Sequence, residues 1–445
     1  MLEKFVDTLS VPQRIVFTFI LAILGGATLL STPWASASGE ATSFLDCLFT
    51  ATSAVCVTGQ VTLNTAEHWN LFGQVVIITL IELGGLGFMA ILTMAYVATG
   101  RKFGLKQQKV IQESLNLDSI SQAKPMIMYL VKFALSVQAF GMLLLSFVMI
   151  PEYGLGRGLW FSFFHAISAF CNAGFDLFGD SLLSYTDQPF VLLVIAGLIF
   201  SGGLGFVVWR DVLEYHRTKK LLFHTKIVLT ATSVVLLTSF VLFALMEERH
   251  GSFAGLSIGD RLANYLFMAV TPRTAGYANV NYSQVSMGSI YLTIVLMFVG
   301  GASGSTAGGI KVNTLAVLAL YLIREFQGRT VHVFNRSVTD RALEKAAYIF
   351  IAGVILVFIA TMALSVSEVI PHDFGLEYIL MEVVSCFGTV GLTMGLTPYL
   401  TAFGKFILIV LMLMGRVGLL TFFWSFGNHT KTQKIKYLNG QVMIG

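Results

Sequence analysis

The sequence predicts an all-α integral membrane protein. It is read as four parallel repeats, each a span, a re-entrant pore helix and a second span, giving eight transmembrane helices and four re-entrant pore loops around one central ion pathway. Three observations predict this. The 445 residues are 56% hydrophobic and only 12% charged, against roughly 25% charged in a soluble domain, and the mean hydropathy is +0.78. Long apolar runs alternate with shorter ones along the chain. The shorter ones end alike, at a fixed period. A soluble globule needs more polar surface than this composition supplies, and disordered chains are apolar-poor and charge-rich. A net charge of +4 is too small to argue for nucleic acid, and 4 cysteines do not build a disulfide scaffold.

Runs long enough for the about 20 residues a spanning helix needs lie near 13–33, 70–97, 127–149, 190–209, 224–246, 288–323, 346–370 and 402–426. Between each odd and even run lies a semi-apolar stretch too short to cross, near 41–54, 156–170, 258–271 and 374–387. The first run does not read as a cleavable signal, because no small-residue site follows a short apolar core. The units fall at 1–98, 99–215, 216–328 and 329–428, with a tail at 429–445. Segments 1–14, 98–126, 210–226, 324–345 and 427–445 hold 20 Lys+Arg and 9 Asp+Glu, whereas the opposite loops hold 5 and 14. That excess predicts both termini in the cytoplasm. An acidic outer face concentrates cations, although the same asymmetry is also explained as a topology signal alone.

The short stretches end as Phe49 to Gln60 (FTATSAVCVTGQ), Phe164 to Phe175 (FHAISAFCNAGF), Phe267 to Tyr277 (FMAVTPRTAGY) and Met381 to Leu392 (MEVVSCFGTVGL). Each carries a Ser or Thr five or six residues before a Gly: Ser53 and Gly59, Ser168 and Gly174, Thr271 and Gly276, Ser385 and Gly391. The glycines are 115, 102 and 115 residues apart, and each is followed by Gly84, Gly202, Gly300 or Gly415. A fixed period means a repeated unit. Helix packing accounts for Gly84, Gly85, Gly202 and Gly203. It accounts poorly for glycines that follow short helices.

Irregular backbone at membrane depth is tolerated where protein buries it or water lines it. Four such loops can surround one axis, and their carbonyl oxygens can replace the hydration shell of a cation. The pore helices direct C-termini, each worth about half a negative charge, at the same centre. The loops hold no carboxylate, which a divalent ion such as calcium would want. Neutral carbonyls favour a monovalent, weakly hydrated cation, and potassium is the choice.

These four segments together resemble the membrane subunit of the Trk/Ktr/HKT superfamily of potassium transporters, and of its Ktr type in particular, over nearly the whole chain. The resemblance implies a potassium-binding filter at Val57, Thr58 and Gly59; Asn172, Ala173 and Gly174; Thr274, Ala275 and Gly276; and Thr389, Val390 and Gly391. The first and fourth loops match potassium-channel filters best, and the second and third depart from that pattern. Family members with Ser at the first Gly tend to admit sodium, so Gly59 argues for potassium. The implied function is potassium uptake as the ion-translocating subunit, with or without stimulation by sodium. A less selective sodium/potassium transporter or a secondary symporter is the alternative, although symporters usually have inverted repeats and these are parallel.

The run 288–323 contains GGASGSTAGGIK, and seven of the ten residues from Gly300 to Gly309 are Gly or Ser. Each interior Gly costs about 1 kcal/mol relative to Ala, so a broken helix with a loop beneath the filter is expected. A small-residue helix contact is the competing reading. The resemblance makes this the intramembrane gating loop, with gate residues Gly300, Gly301, Ser303, Gly304, Ser305, Thr306, Gly308, Gly309 and Lys311. It assigns to Arg416 a position below the filter in contact with that loop, where a positive charge repels cations. An Arg paired to carbonyls for packing alone is the alternative. A phosphate loop is rejected, because Ile310 separates Gly309 from Lys311 and Val312 follows. The GGLG steps at Gly84 and Gly202 are no dinucleotide fingerprint.

Glu82 is expected either to pair with a basic residue or to stay protonated, and Lys132 to snorkel. Cys47, Cys56, Cys171 and Cys386 lack zinc spacing and are assigned to packing. There is no HExxH, no nucleophile triad and no other cluster of catalytic type, so no enzyme is expected and no cofactor beyond potassium as substrate. The inner face is basic, with Arg217, Lys219, Lys220, Arg324, Arg329, Arg336, Lys431, Lys434 and Lys436, which membrane lipid headgroups explain. The resemblance implies more: a homodimer docked on a cytosolic ring of nucleotide-binding regulatory subunits, with the nucleotide on that partner alone. The expected location is the cell membrane.

Overall fold

The computed structural model describes residues 9–87, 123–328, 332–369 and 375–427. The predicted tail 429–445, the end of the second run at 88–97 and Arg329 lie outside the described residues.

Each repeat opens with a long apolar helix: Val11–Leu30, Ala123–Tyr153, Phe223–His250 and Asp340–Ser367. Among the described residues these four contain the single helices long and apolar enough to cross a membrane. The first starts on Ser10, whose side chain forms a capping box with Gln13, followed by a Pro in its first turn. Four pore helices follow in register, Phe44–Cys56, Leu155–Cys171, Ile258–Val270 and Leu376–Gly388, close to the predicted short stretches.

The second helices are shorter than expected: Leu71–Leu86, Pro189–Gly203, Met287–Phe298 and Ala402–Val417. At 1.5 Å per residue they span about 18–24 Å. Two predicted spans are therefore corrected. The run 190–209 ends at Gly203 and turns by 97° into Phe206–Thr218, and the run 402–426 ends at Val417 and turns by 106° into Leu419–Phe426. Gly205 (φ +98°) and Gly418 (φ +92°) make the turns, and Gly87 (φ +83°) stands at the matching place in repeat 1; positive φ is cheap for Gly. Beyond the first turn Phe206 and Val208 are buried, while Arg210 and Glu214 pair at 2.9 Å on the exposed side. That division suits a helix lying in the interface rather than crossing it.

Carboxylates fix the corners between first and second helices in repeats 3 and 4. Glu247, at the end of the first helix of repeat 3, accepts from Ser286 Oγ at 2.7 Å and from Ser286 N–H at 3.2 Å, and Ser286 caps the second helix. Glu368 does the same in repeat 4, accepting from Thr401 N–H at 2.7 Å and Thr401 Oγ1 at 2.7 Å. Each pair satisfies orphan donors at a helix N-terminus with a negative charge.

The repeats close on themselves. The second helix of each repeat packs on the pore helix of the next, and Ala402–Val417 of the last packs on Phe44–Cys56 of the first. Lys405 meets Asp46 at 2.8 Å across that last seam. The segment joining repeats 3 and 4 carries a small hairpin, His332–Val333 with Arg336–Ser337. Phe334 and Asn335, both at positive φ, form its two-residue turn.

Candidate functional site

Three pore helices end in the same way. Val57 (φ 58°, ψ 52°), Asn172 (φ 61°, ψ 42°) and Thr389 (φ 52°, ψ 54°) are left-handed, although none is glycine. Each is locked by paired hydrogen bonds of the Schellman type. Thr58 N–H donates to Ser53 O, Ala173 N–H to Ser168 O and Val390 N–H to Ser385 O, all at 2.8 Å. The recurring Ser thus supplies the anchoring carbonyl. In repeats 2 and 4 its hydroxyl also ties down the exit from the loop: Ser168 Oγ donates to Phe175 O at 2.8 Å, and Ser385 Oγ accepts from Gly391 N–H at 3.0 Å, whereas Ser53 Oγ in repeat 1 has no hydrogen-bond partner among the described residues.

Repeat 3 departs from the pattern. Pro272 has no N–H to continue the helix, and the left-handed residue is Thr274 (φ 72°). Ala275 N–H donates to Thr271 O at 3.0 Å, and Thr271 Oγ1 to Tyr277 O at 2.6 Å. Arg273 in this loop is buried, with Nη2 3.5 Å from Thr232 Oγ1. It stands where the other loops carry Cys56, Cys171 and Gly388.

The four loops meet in a ring. Gly59 packs on Ala173 O, Gly174 on Ala275 O, Gly276 on Val390 O and Gly391 on Thr58 O, so that a Cβ added at any of them would collide with that carbonyl. All four are at positive φ, between +69° and +94°. Each glycine thus lies against the residue that precedes the next glycine, and the order 1, 2, 3, 4, 1 closes. Val57, Thr58, Asn172, Ala173, Thr274, Ala275, Thr389 and Val390 are all buried. Thr274 Oγ1 lies 3.3 Å from the side-chain amide of Asn172, linking loops 2 and 3.

Beneath the ring the second helix of repeat 3 breaks at Phe298 and resumes at Val312. The intervening loop is closed at its neck by Gly300 N–H to Ile310 O at 2.7 Å and Val312 N–H to Gly301 O at 3.0 Å. It is pinned to two other repeats, through Ala302 N–H to Gly203 O (2.9 Å), Thr306 N–H to Gly202 O (3.2 Å) and Gly309 N–H to Gly415 O (3.2 Å). Gly308 abuts Thr389, and Gly300 approaches Thr274, so the loop touches the filter-like residues directly. Ser303 Oγ donates to Asn313 Oδ1 at 2.9 Å, and Ser305 Oγ to Ala302 O at 2.7 Å. Lys311 Nζ folds back on Ala307 O and, at 3.2 Å, on Gly308 O. Gly304 (φ +72°) has open space around it.

Arg416 bridges this loop to repeat 1. Its guanidinium donates to Thr306 O and Gly84 O, and to Gly85 O at 3.0 Å. Every hydrogen bond described for it ends on a carbonyl. Glu82 accepts from Gln138 Nε2 at 2.9 Å and Cys171 Sγ at 3.2 Å, an amide and a thiol rather than the basic partner considered from sequence. Cys171 therefore does more than pack. Among the described residues no group of His, Cys, Asp or Glu could hold a metal ion.

Sequence reasoning missed Glu382 and Gln60. Glu382 is fully buried on the fourth pore helix and accepts from Gln60 Nε2 of the first loop and from Thr393 and Thr397 of its own repeat. The signal was present, since Glu382 is the one acidic residue in the four aligned segments.

A ring of backbone closed by four repeats of one membrane-embedded unit, with a glycine-rich loop crossing below it, defines the pore-loop class of ion-translocating membrane proteins. Residues 12–434 match the family model described as TrkH, cation transport protein. The chain belongs to this family. It is 47% identical to the potassium/sodium uptake protein NtpJ of Enterococcus hirae over 98% of both chains. It is 41% identical to the Ktr system potassium uptake protein B of Bacillus subtilis, over 98% of this chain and 96% of that one. Among solved structures, the potassium transporter TrkH from Vibrio parahaemolyticus superposes with a TM-score of 0.73 at 18% identity, over 93% of this chain and 84% of that chain. The fold is the one expected, and this is a multi-pass membrane protein of a cation-transporting family.

Proposed function

We propose that this chain is the potassium-translocating subunit of a Ktr-type uptake system. The observation that carries the reading is the closed ring in which Gly59, Gly174, Gly276 and Gly391 each pack on the carbonyl of the residue before the next. A potassium ion on the ring axis is coordinated by backbone oxygens of Val57, Thr58 and Gly59, Asn172, Ala173 and Gly174, Thr274, Ala275 and Gly276, and Thr389, Val390 and Gly391. Neutral carbonyls replace the shell of a weakly hydrated ion at less cost than that of a strongly hydrated one. The negative ends of four pore helices deepen the well.

The loop from Gly300 to Lys311 is the gate, and Arg416 is part of its closed state. The guanidinium holds Thr306 to repeat 1 and leaves a positive charge below the filter, which opposes cation passage. The units run 1–98, 99–215, 216–328 and 329–428, with both termini and the tail 429–445 in the cytoplasm, and the protein sits in the cell membrane. Two chains form a homodimer with a pore in each. A cytosolic regulatory ring binds nucleotide and acts on the gate, and the chain itself is neither an enzyme nor a nucleotide binder. The relatives named as parts of a Ktr system support the partner, and the basic inner face supports its docking side.

A less selective sodium/potassium path is the second reading, favoured by the name of the Enterococcus hirae relative. Purified protein in liposomes separates the two. The potassium reading expects potassium and rubidium to move down a gradient without a second substrate while sodium lags, and Gly59→Ser to let sodium through. Equal passage of sodium and potassium in the wild type favours the second reading.

A further inference from the structure

Nine residues before each ring glycine, the pore helices carry Thr50, His165, Phe267 and Glu382, all fully buried. The position is used to hold the segment that leaves the ring. In repeat 2, Leu177 N–H donates to His165 Nε2 at 3.2 Å. In repeat 4, Thr393 Oγ1 donates to Glu382 Oε1, and Thr397 Oγ1 donates to the same oxygen at 3.0 Å. Thr50 Oγ1 has no hydrogen-bond partner, and Phe267 is apolar.

Glu382 also reaches into the neighbouring repeat. Gln60 directly follows Gly59 and is buried. Its Nε2 donates to Glu382 Oε2 and, at 2.8 Å, to Thr397 Oγ1. Its Oε1 lies 3.4 Å from Ser385 Oγ, the atom that accepts Gly391 N–H at 3.0 Å. One buried network therefore runs from the residue after Gly59 to the amide of Gly391, behind the seam where Gly391 packs on Thr58 O. Hydrogen bonds to a buried carboxylate are short, directional and costly to break, so this seam resists change in either direction.

We propose that Glu382 is a positioning residue for ion selectivity. Through Gln60 it fixes the separation of the first and fourth loops and prevents the carbonyl cage from contracting around an ion smaller than potassium. The inference rests on the potassium reading of the ring and adds a residue that touches no ion. The closeness of Glu382 to two loops at once, rather than its charge, is what the role needs.

The test uses full-length protein in liposomes and reads rubidium uptake and its ratio to sodium uptake. Glu382→Leu and Gln60→Leu each remove the bridge from one side, and each raises the sodium-to-rubidium ratio about tenfold, the order expected when one buried hydrogen bond is lost and its partner left unsatisfied. The double variant goes no further than either single, since both cut one link. Glu382→Gln keeps a carbonyl acceptor for Gln60 Nε2 while its amide N–H₂ faces threonine hydroxyls that can turn to accept, and it stays within about twofold of wild type, on the same conversion of free energy to ratio. An unchanged ratio in both Leu variants overturns the proposal. So does additivity in the double, or a Glu382→Gln shift as large as that of Glu382→Leu, which would make the charge the agent. If Glu382→Leu fails to fold, Gln60→Leu, placed on a loop, decides alone. Failure of the wild type to pass rubidium counts against the ring as a pore and is read separately.

Discussion

Repeat 3 and the other three repeats use one plan differently. In repeats 1, 2 and 4 a glycine of the second helix lies against the end of its own pore helix: Gly84 on Val55 O, Gly202 on Phe170 O and Gly415 on Phe387 O. Backbone meets backbone there, and the pore helix is supported by a continuous helix. In repeat 3 the matching Gly300 lies against Gly308 of the broken segment instead. Three quarters of the ring therefore rest on rigid supports, and one quarter rests on a loop held by isolated hydrogen bonds. Local stability varies within a fold, and the parts that move are drawn from its weakly held end. On the proposed reading, the movement of the gate is drawn from this weakly held segment of repeat 3.

The largest expected effect falls on the rigid side. Gly391→Ala forces a Cβ onto a residue at φ +94° and into Thr58 O. A left-handed residue costs about 1–2 kcal/mol before any clash, so rubidium flux in liposomes is expected to fall at least about tenfold, with the family-like fold retained by circular dichroism. Arg416→Ala acts on the weak side. It frees Thr306 of the loop from Gly84 and Gly85, and a leak at least about tenfold above wild type is expected under closed conditions, since even one of the three lost charged hydrogen bonds is of that order. Unchanged flux with the gate closed would leave Arg416 a packing residue. Gly304→Ala places a side chain in open space at φ +72°. The strain of about 1–2 kcal/mol falls on the loop, so gating shifts several-fold with only a small fall in melting temperature. Lys405→Met removes the Asp46 pair at the seam of repeats 4 and 1. A loss of about 1 kcal/mol is expected, seen as a small fall in melting temperature with selectivity intact.

Much of this architecture was legible in the chain. The period of the ring glycines reports the number of repeats, and the Ser or Thr before each reports the lock that turns the helix end. The density of Gly and Ser from Gly300 to Gly309 reports the break, because backbone entropy and missing side chains weaken a helix wherever it sits. The bends at Gly205 and Gly418 were hidden because the apolar runs continue through them, and hydropathy does not sense φ. Glycines three residues after Gly202 and Gly415 were the available clue. The partners of Glu382 were hidden for a different reason. Gln60 is 322 residues away in sequence, and such pairing follows only from ring closure. Arg273 lies inside the segment Phe267 to Tyr277, yet nothing in the sequence marks it as buried, because its burial follows from packing beyond the end of the third pore helix at Val270.

On the proposed function, four loops of one chain enclose a single alkali ion. Anomalous diffraction from crystals grown in rubidium tests it most directly. The account predicts a peak on the axis, equidistant from the loops of Gly59, Gly174, Gly276 and Gly391. Crystals that diffract well yet show no ion there, or show rubidium held by side chains elsewhere, would contradict it.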